Sequence, residues 1–161
     1  MALARADHSG QSARGKVLIV EDQEGMRDLL RLILEAHYHV AEADSGAALY
    51  KALEHDQADV VLLDMKLPDA SGLGLLLAIK QRWPDTEVIV LTGAPSGSEA
   101  MSRAAEAVDR GAFSLFPKSA EFDLRALQAG VGSAMERRLQ ALANSPVPPK
   151  TDPQAIRRAI E

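Results

Sequence analysis

Three carboxylates, a hydroxyl and an ammonium each follow a short apolar run in this chain. Glu21 and Asp22 come after VLIV (17–20), Asp64 after VVLL (60–63), Thr92 after VIVL (88–91) and Lys118 after AFSLFP (112–117). An acid at the end of a buried strand has to be solvated, paired or metal-bound. Neighbouring strands lie about 4.8 Å apart. If the first and third runs are neighbours, Glu21, Asp22 and Asp64 crowd into one small space and repel one another. A hard divalent cation with oxygen ligands, Mg2+ above all, relieves that crowding, and Lys118 brings a second positive charge. A carboxylate beside a divalent ion, a hydroxyl and an ammonium is equipped to accept a phosphoryl group, with Asp64 as the candidate nucleophile. The cation and Lys118 would neutralise the oxygens of the group in flight. Thr92 would hydrogen-bond one of them, and the small residues Gly93 and Ala94 leave a donor room to approach.

These side chains meet only if strands and helices alternate, and the pattern says they do. KVLIV (16–20) is a β-rich run, and Met26, Leu29, Leu30, Ile33 and Leu34 then recur at helical spacing. YHVAEA (38–43) reads as a second strand. Ser45 is placed to cap a helix with Ala48, Leu49, Ala52 and Leu53 inward. DVVLL (59–63) is the third strand, and Ser71 opens a helix that Pro84 stops. After EVIVL (87–91), SGSE (96–99) has the capping-box form, which makes Ser96 the cap. Met101, Ala104, Ala105 and Val108 mark the next helix, ended by Gly111. AFSLF (112–116) is the fifth strand. The last helix carries Leu124, Leu127, Val131, Met135, Leu139 and Leu142, with Gly130 and Gly132 each weakening its middle by about 1 kcal/mol relative to Ala. This alternation predicts an α/β fold, a single flavodoxin-like, doubly wound, five-stranded parallel sheet with helices on both faces. In the order 2-1-3-4-5 strands 1 and 3 are neighbours, and the carboxylates meet at the carboxyl ends of the strands.

Composition bounds the rest. The chain has 161 residues, 47% hydrophobic and 25% charged, which fits one domain with tails. A net charge of −5 gives no reason to expect direct nucleic-acid binding. Without cysteine there is no disulfide or thiolate chemistry. The longest apolar stretch, LGLLLAI (73–79), falls far short of the about 18 residues of a membrane span. The N-terminus lacks the apolar segment of a secretory signal, so a cytoplasmic location is expected. Residues 1–15 read as a disordered leader and 16–142 as the domain. Residues 143–161 read as a Pro-rich linker, NSPVPPKTDP (144–153), with the start of a further helix, QAIRRAIE.

Four stretches in order, VLIVEDQEGMRDLL, DVVLLDMKLPDASGLGLL, VIVLTG and GAFSLFPK, resemble the receiver (CheY-like) domain of bacterial two-component response regulators over Lys16 to about Leu142. The resemblance implies that Asp64 is the phosphorylated aspartate. Glu21 and Asp22 correspond to the acidic pair that binds Mg2+ with Asp64, and Lys66 to the position whose backbone carbonyl is a further ligand. Thr92 and Lys118 correspond to the switch hydroxyl and the phosphate-pairing lysine. A sensor histidine kinase or phosphotransfer protein would supply the phosphoryl group, and an output domain or partner protein would read the switch. Homodimerisation stays open. No enzyme activity is implied beyond Mg2+-dependent self-phosphorylation and autodephosphorylation, nor any contact of this domain with nucleic acid or membrane.

The chain departs from the family pattern in three places. Leu115 stands where the family usually has Tyr or Phe. Ser119 rather than Pro follows Lys118, and a trans bond is expected there. The segment after Thr92 is longer than usual. Two other readings compete: a pseudo-receiver that binds a partner without phosphorylation, and an aspartate-nucleophile phosphatase. The phosphatases carry a second Asp two residues after the nucleophile, where this chain has Lys66. Plainer roles are weighed for single residues. Asp22 could cap the first helix, and Glu42 or Asp44 the second. His37, His39, Arg137 and Arg138 are expected at the surface, and Leu115 either fills core or contacts a partner.

Overall fold

The computed structural model describes residues 14–95, 97–118 and 123–144. The expected leader up to residue 13, the Pro-rich stretch and following helix from residue 145, Ser96 and Ser119 lie outside them. The elements are β1 (Lys16–Val20), α1 (Glu24–Leu34), β2 (His39–Ala43), α2 (Gly46–His55), β3 (Val60–Asp64), α3 (Gly72–Arg82), β4 (Glu87–Thr92), α4 (Glu99–Asp109), β5 (Ser114–Pro117) and α5 (Leu124–Asn144). The five strands are parallel in the order β2-β1-β3-β4-β5, the flavodoxin-like doubly wound arrangement.

Strand alternation divides the core in two. Leu18, Val20, Val61, Leu63, Val88 and Val90 face α2, α3 and α4, where Leu49, Leu53, Leu75, Leu76, Ile79 and Ala107 meet them. Val17, Ile19, Val60, Leu62, Ile89 and Leu91 face α1 and α5, against Leu30, Leu34, Leu127, Val131 and Met135. Both faces of β1, β3 and β4 are therefore covered, which is why these strands read as unbroken apolar runs. Leu115 is half-buried against the first of these cores.

Two helix starts follow the sequence and one shifts. Ser45 Oγ accepts from the Ala48 N–H, and Ser71 Oγ from the Gly74 N–H, both at 3.1 Å. The cap of α4 is Ser98, whose Oγ accepts from the Met101 N–H at 3.1 Å. The capping-box spacing pointed to Ser96. With α4 starting at Glu99, only Ser98 stands at the N-cap position, directly before the helix. Gly72 has a steric reason to be glycine, because a Cβ there would lie 2.5 Å from the Met65 Cα.

Arg137 is exposed, as expected, but Arg138 is not. Arg138 is 6% exposed, and its Nε donates to Asp59 Oδ1 at 3.0 Å. Asp59 Oδ2 accepts from the Lys16 N–H at 2.9 Å, so one carboxylate ties β1, the start of β3 and α5 together. Arg137 pairs with Glu87 Oε2 at 3.0 Å and lies over the Phe113 ring at 5.6 Å. The long arginine stems cover apolar surface while their heads reach partners far away in sequence.

The glycines of α5 differ in what surrounds them. A Cβ on Gly130 would sit 2.9 Å from Phe116 Cε2, whereas one on Gly132 would meet only the Tyr38 hydroxyl at 3.8 Å. Gly132→Ala should stabilise the fold by about 0.5–1 kcal/mol through helix propensity. Gly130→Ala should fall below it by about 1–3 kcal/mol, because the ring has to move. Urea unfolding midpoints of the two variants check the order.

Candidate functional site

The alternation that buries Val17, Ile19, Val60 and Leu62 carries Glu21 and Asp64 to the same side of the sheet, one step beyond the hydrophobic rows. Asp64 is the last residue of β3, and Glu21 follows β1 directly. Lys118 follows β5 two positions after Phe116, whose ring packs in the same α1–α5 core. Register in the sheet thus brings together residues from three separate parts of the chain.

Glu21 and Asp64 are buried, at 0% and 2% exposure, while Asp22 is exposed. One ligand oxygen from each of the three lies within 4.8 Å of the others. Lys118 Nζ stands 2.8 Å from Glu21 Oε1 and 3.1 Å from Asp64 Oδ2. The remaining oxygens have donors too. Glu21 Oε2 accepts from the Gln23 N–H, and Asp64 Oδ1 from the Lys66 N–H, both at 3.1 Å. Burial acts to lower the Lys118 pKa, but its bonds to Glu21 and Asp64 outweigh that and leave it raised. The ammonium therefore stays charged and balances two buried carboxylates.

Asp22 does not cap α1. The N-cap position is Gln23, which makes no side-chain capping bond. Among the described residues the Asp22 carboxylate has no hydrogen bond or ion pair. An exposed, unpaired carboxylate beside two buried ones offers a hard cation an open oxygen, so the donor set fits a divalent metal ion. Lys66 lies at the mouth of the site, with its side chain exposed and its backbone bridged to Ser71. Thr92 ends β4. Its Oγ1 accepts from the Ala94 N–H at 3.1 Å, and its carbonyl accepts from the Lys118 N–H at 2.6 Å. An open cleft of about 860 Å3 reaches from Asp22, Asp64 and Thr92 past Met26 and Met65 to Ser98.

Of the six residues singled out in the sequence, Asp22, Asp64, Lys66, Thr92 and Lys118 border the cleft, and Glu21 lies buried behind them on Lys118. His37 and His39 do not border it. Sequence reasoning missed two supports. Neither Glu42 nor Asp44 caps α2. Asp69, in the loop after β3, accepts from the Gly46 and Ala47 N–H groups at 2.8 and 3.1 Å. Glu42 instead binds Arg27 and Arg31 of α1. Nothing local signals either contact, since Asp69 lies 23 positions from Gly46.

The doubly wound parallel sheet thus gathers an acidic cluster and a lysine at its carboxyl rim. The family is explicit: residues 17–130 match the response regulator receiver domain, and the chain belongs to that family. It is 32% identical over 146 residues to the DNA-binding transcriptional regulator NtrC of Azospirillum brasilense, covering 90% of this chain and 27% of that protein. It is 33% identical over 136 residues to the response regulator protein PilR of Pseudomonas aeruginosa, covering 84% of this chain and 29% of that one. The chain spans about a quarter of the length of such curated relatives. A receiver domain protein from Clostridium thermocellum superposes with a TM-score of 0.70 at 27% identity, covering 78% of this chain and 98% of its own. The signal receiver domain of an HD domain-containing protein from Pseudomonas fluorescens Pf-5 gives 0.74 at 25% identity, covering 82% and 94%. Among the described residues no helix is long and apolar enough to cross a membrane.

Asp69 sets a pH dependence. The Gly46 and Ala47 N–H groups favour its charged form and lower its pKa from the ordinary 3.8. A carboxylate with a depressed folded pKa contributes stability above its unfolded pKa and loses it as pH falls through the folded one. Asp69→Ala should therefore lower the urea midpoint at pH 7, and the gap to the parent should close below about pH 3.8. Unfolding series from pH 7 to 3 measure this.

Proposed function

We propose that this chain is a phosphorylation-switched receiver, with its working module over residues 16–142. Asp64 accepts a phosphoryl group from a phosphohistidine on a sensor kinase or phosphotransfer protein. The observation that carries the reading is the Glu21–Asp22–Asp64 cluster with Lys118 bound to Asp64. In the transfer an Asp64 oxygen bonds to phosphorus, the phosphorus–nitrogen bond of the donor breaks, and the imidazole leaves with a proton. Asp22, Asp64 and the Lys66 carbonyl would hold Mg2+, with Glu21 behind them. The ion, when bound, supplies charge neutralisation at the phosphoryl oxygens.

The residues of the chain do the rest. Lys118 already spans Glu21 and Asp64, so a small movement carries its ammonium from the Asp64 carboxylate to a phosphoryl oxygen. The Thr92 hydroxyl accepts from Ala94 and keeps its own proton to donate. A shift of Thr92 toward the phosphoryl group pulls on the Ala94 backbone and on the loop leading to α4. That loop, rather than a ring at Leu115, delivers the signal to a partner or a following output domain. The module acts on no other substrate, and it works in the cytoplasm.

Incubation with Mg2+ and acetyl phosphate should add one phosphoryl mass to the intact protein, and Asp64→Asn should abolish the addition. Full labelling of that variant would overturn the assignment. Mg2+ should also raise the melting temperature by binding the folded state, and Asp22→Ala should diminish the rise.

A further inference from the structure

The acidic pair sits on a turn with no capping side chain of its own. α1 starts after Gln23, which makes no capping bond. Glu21 is held at its carboxylate by Lys118 and by the Gln23 N–H, but these contacts do not fix the peptide that leads to Asp22. That peptide has one side-chain partner among the described residues. Arg27 Nη1, one turn into α1, donates to the Glu21 carbonyl at 2.8 Å.

Arg27 is in turn held from the neighbouring strand. Its Nε lies 3.4 Å from Glu42 Oε1 on β2, and its side chain is 18% exposed. The other oxygen of Glu42 accepts from Arg31 Nη1 at 2.8 Å. β2 is fixed against β1 at the same level, because the Glu21 N–H donates to the Ala43 carbonyl at 3.0 Å. The Glu21 backbone is thus held at its N–H by Ala43 and at its carbonyl by Arg27, and both holds trace back to the end of β2. A flexible lysine could not reach both acceptors with the fixed fork that a guanidinium offers.

We propose that Arg27 is a positioning residue for the acidic turn. Anchored by Glu42, it holds the Glu21 peptide so that Asp22 presents its carboxylate to a divalent cation beside Asp64. The proposal rests on the metal-binding reading above and adds to it two residues that touch neither metal nor phosphoryl group.

Isothermal titration of the full chain with MgCl2 tests it, together with amide exchange of Gln23 in metal-free protein. Arg27→Ala should weaken Mg2+ binding about tenfold, the usual cost of losing a group that orients a metal ligand. It should also speed exchange at Gln23. Glu42→Gln should shift both readouts in the same direction, and Arg27→Lys should restore part of the loss. Arg31→Ala removes only the outer arm of Glu42 and should stay within about twofold of the parent. If Arg27→Ala fails to fold, Glu42→Gln and Arg27→Lys carry the test. Parent-like Mg2+ affinity and Gln23 exchange in these variants, whatever their melting temperatures, would overturn the proposal. If the parent itself binds no Mg2+, the metal reading fails separately, and Gln23 exchange alone decides whether Arg27 holds the turn.

Discussion

Two carboxylates lie almost without solvent at one rim of the sheet, and a single ammonium makes that tolerable. Glu21 and Asp64 are aligned by strand register, so the fold cannot separate them without losing the β1–β3 pairing. Burying like charges side by side is costly unless opposite charge and hydrogen bonds compensate. Lys118 bridges both, and two backbone N–H groups take the remaining oxygens. The sheet order, the position of β5 at the far edge and the loop after Thr92 all serve to bring that lysine across. The same constraint prepares chemistry, because an acid held between a charge partner and backbone donors is oriented before any ligand arrives.

Most of this was legible from the sequence because it is periodic. The five apolar runs and the helical spacings between them yield the parallel sheet. A common order for such sheets, 2-1-3-4-5, proves to be the one adopted, and the strand-end rule then gathers Glu21, Asp22, Asp64, Thr92 and Lys118. Illegible were contacts with no period and long separation. Arg138 reads like any surface arginine, yet it is buried on Asp59. Asp69 drew no reading from the pattern, yet it accepts from the first N–H groups of α2. Ser96 and Ser98 are the same residue type two positions apart, and pattern alone chose the wrong one. A helix boundary is set by where the backbone leaves the preceding loop, which the capping pattern does not encode.

The supports form a second layer around the rim. Arg27 and Glu42 grip the β1–α1 turn, and Asp69 grips the loop that follows Asp64. Gly72 lets the start of α3 close onto Met65 beneath that loop. Each of these acts on backbone and not on the reacting atoms. On the β4 side the Thr92 carbonyl is held by the Lys118 N–H, and among the described residues its hydroxyl is held by the Ala94 N–H. The rim is therefore braced at the turns that follow β1 and β3.

The ion pairs at the two ends of the sheet join residues far apart in the chain. Lys118 lies 97 positions from Glu21, and Arg138 lies 79 from Asp59. Closing loops of that length is slow and comes late in folding. During synthesis, β1 and β3 emerge with their acids long before the lysine that balances them has been made. The Glu21–Asp64 neighbourhood is then a source of repulsion that discourages premature closure of β1 against β3. Docking of β5 removes that repulsion, and α5 locks the opposite end. A nascent or truncated chain ending before β5 should thus remain open at its acidic rim, so that competence at the site becomes a mark of finished assembly.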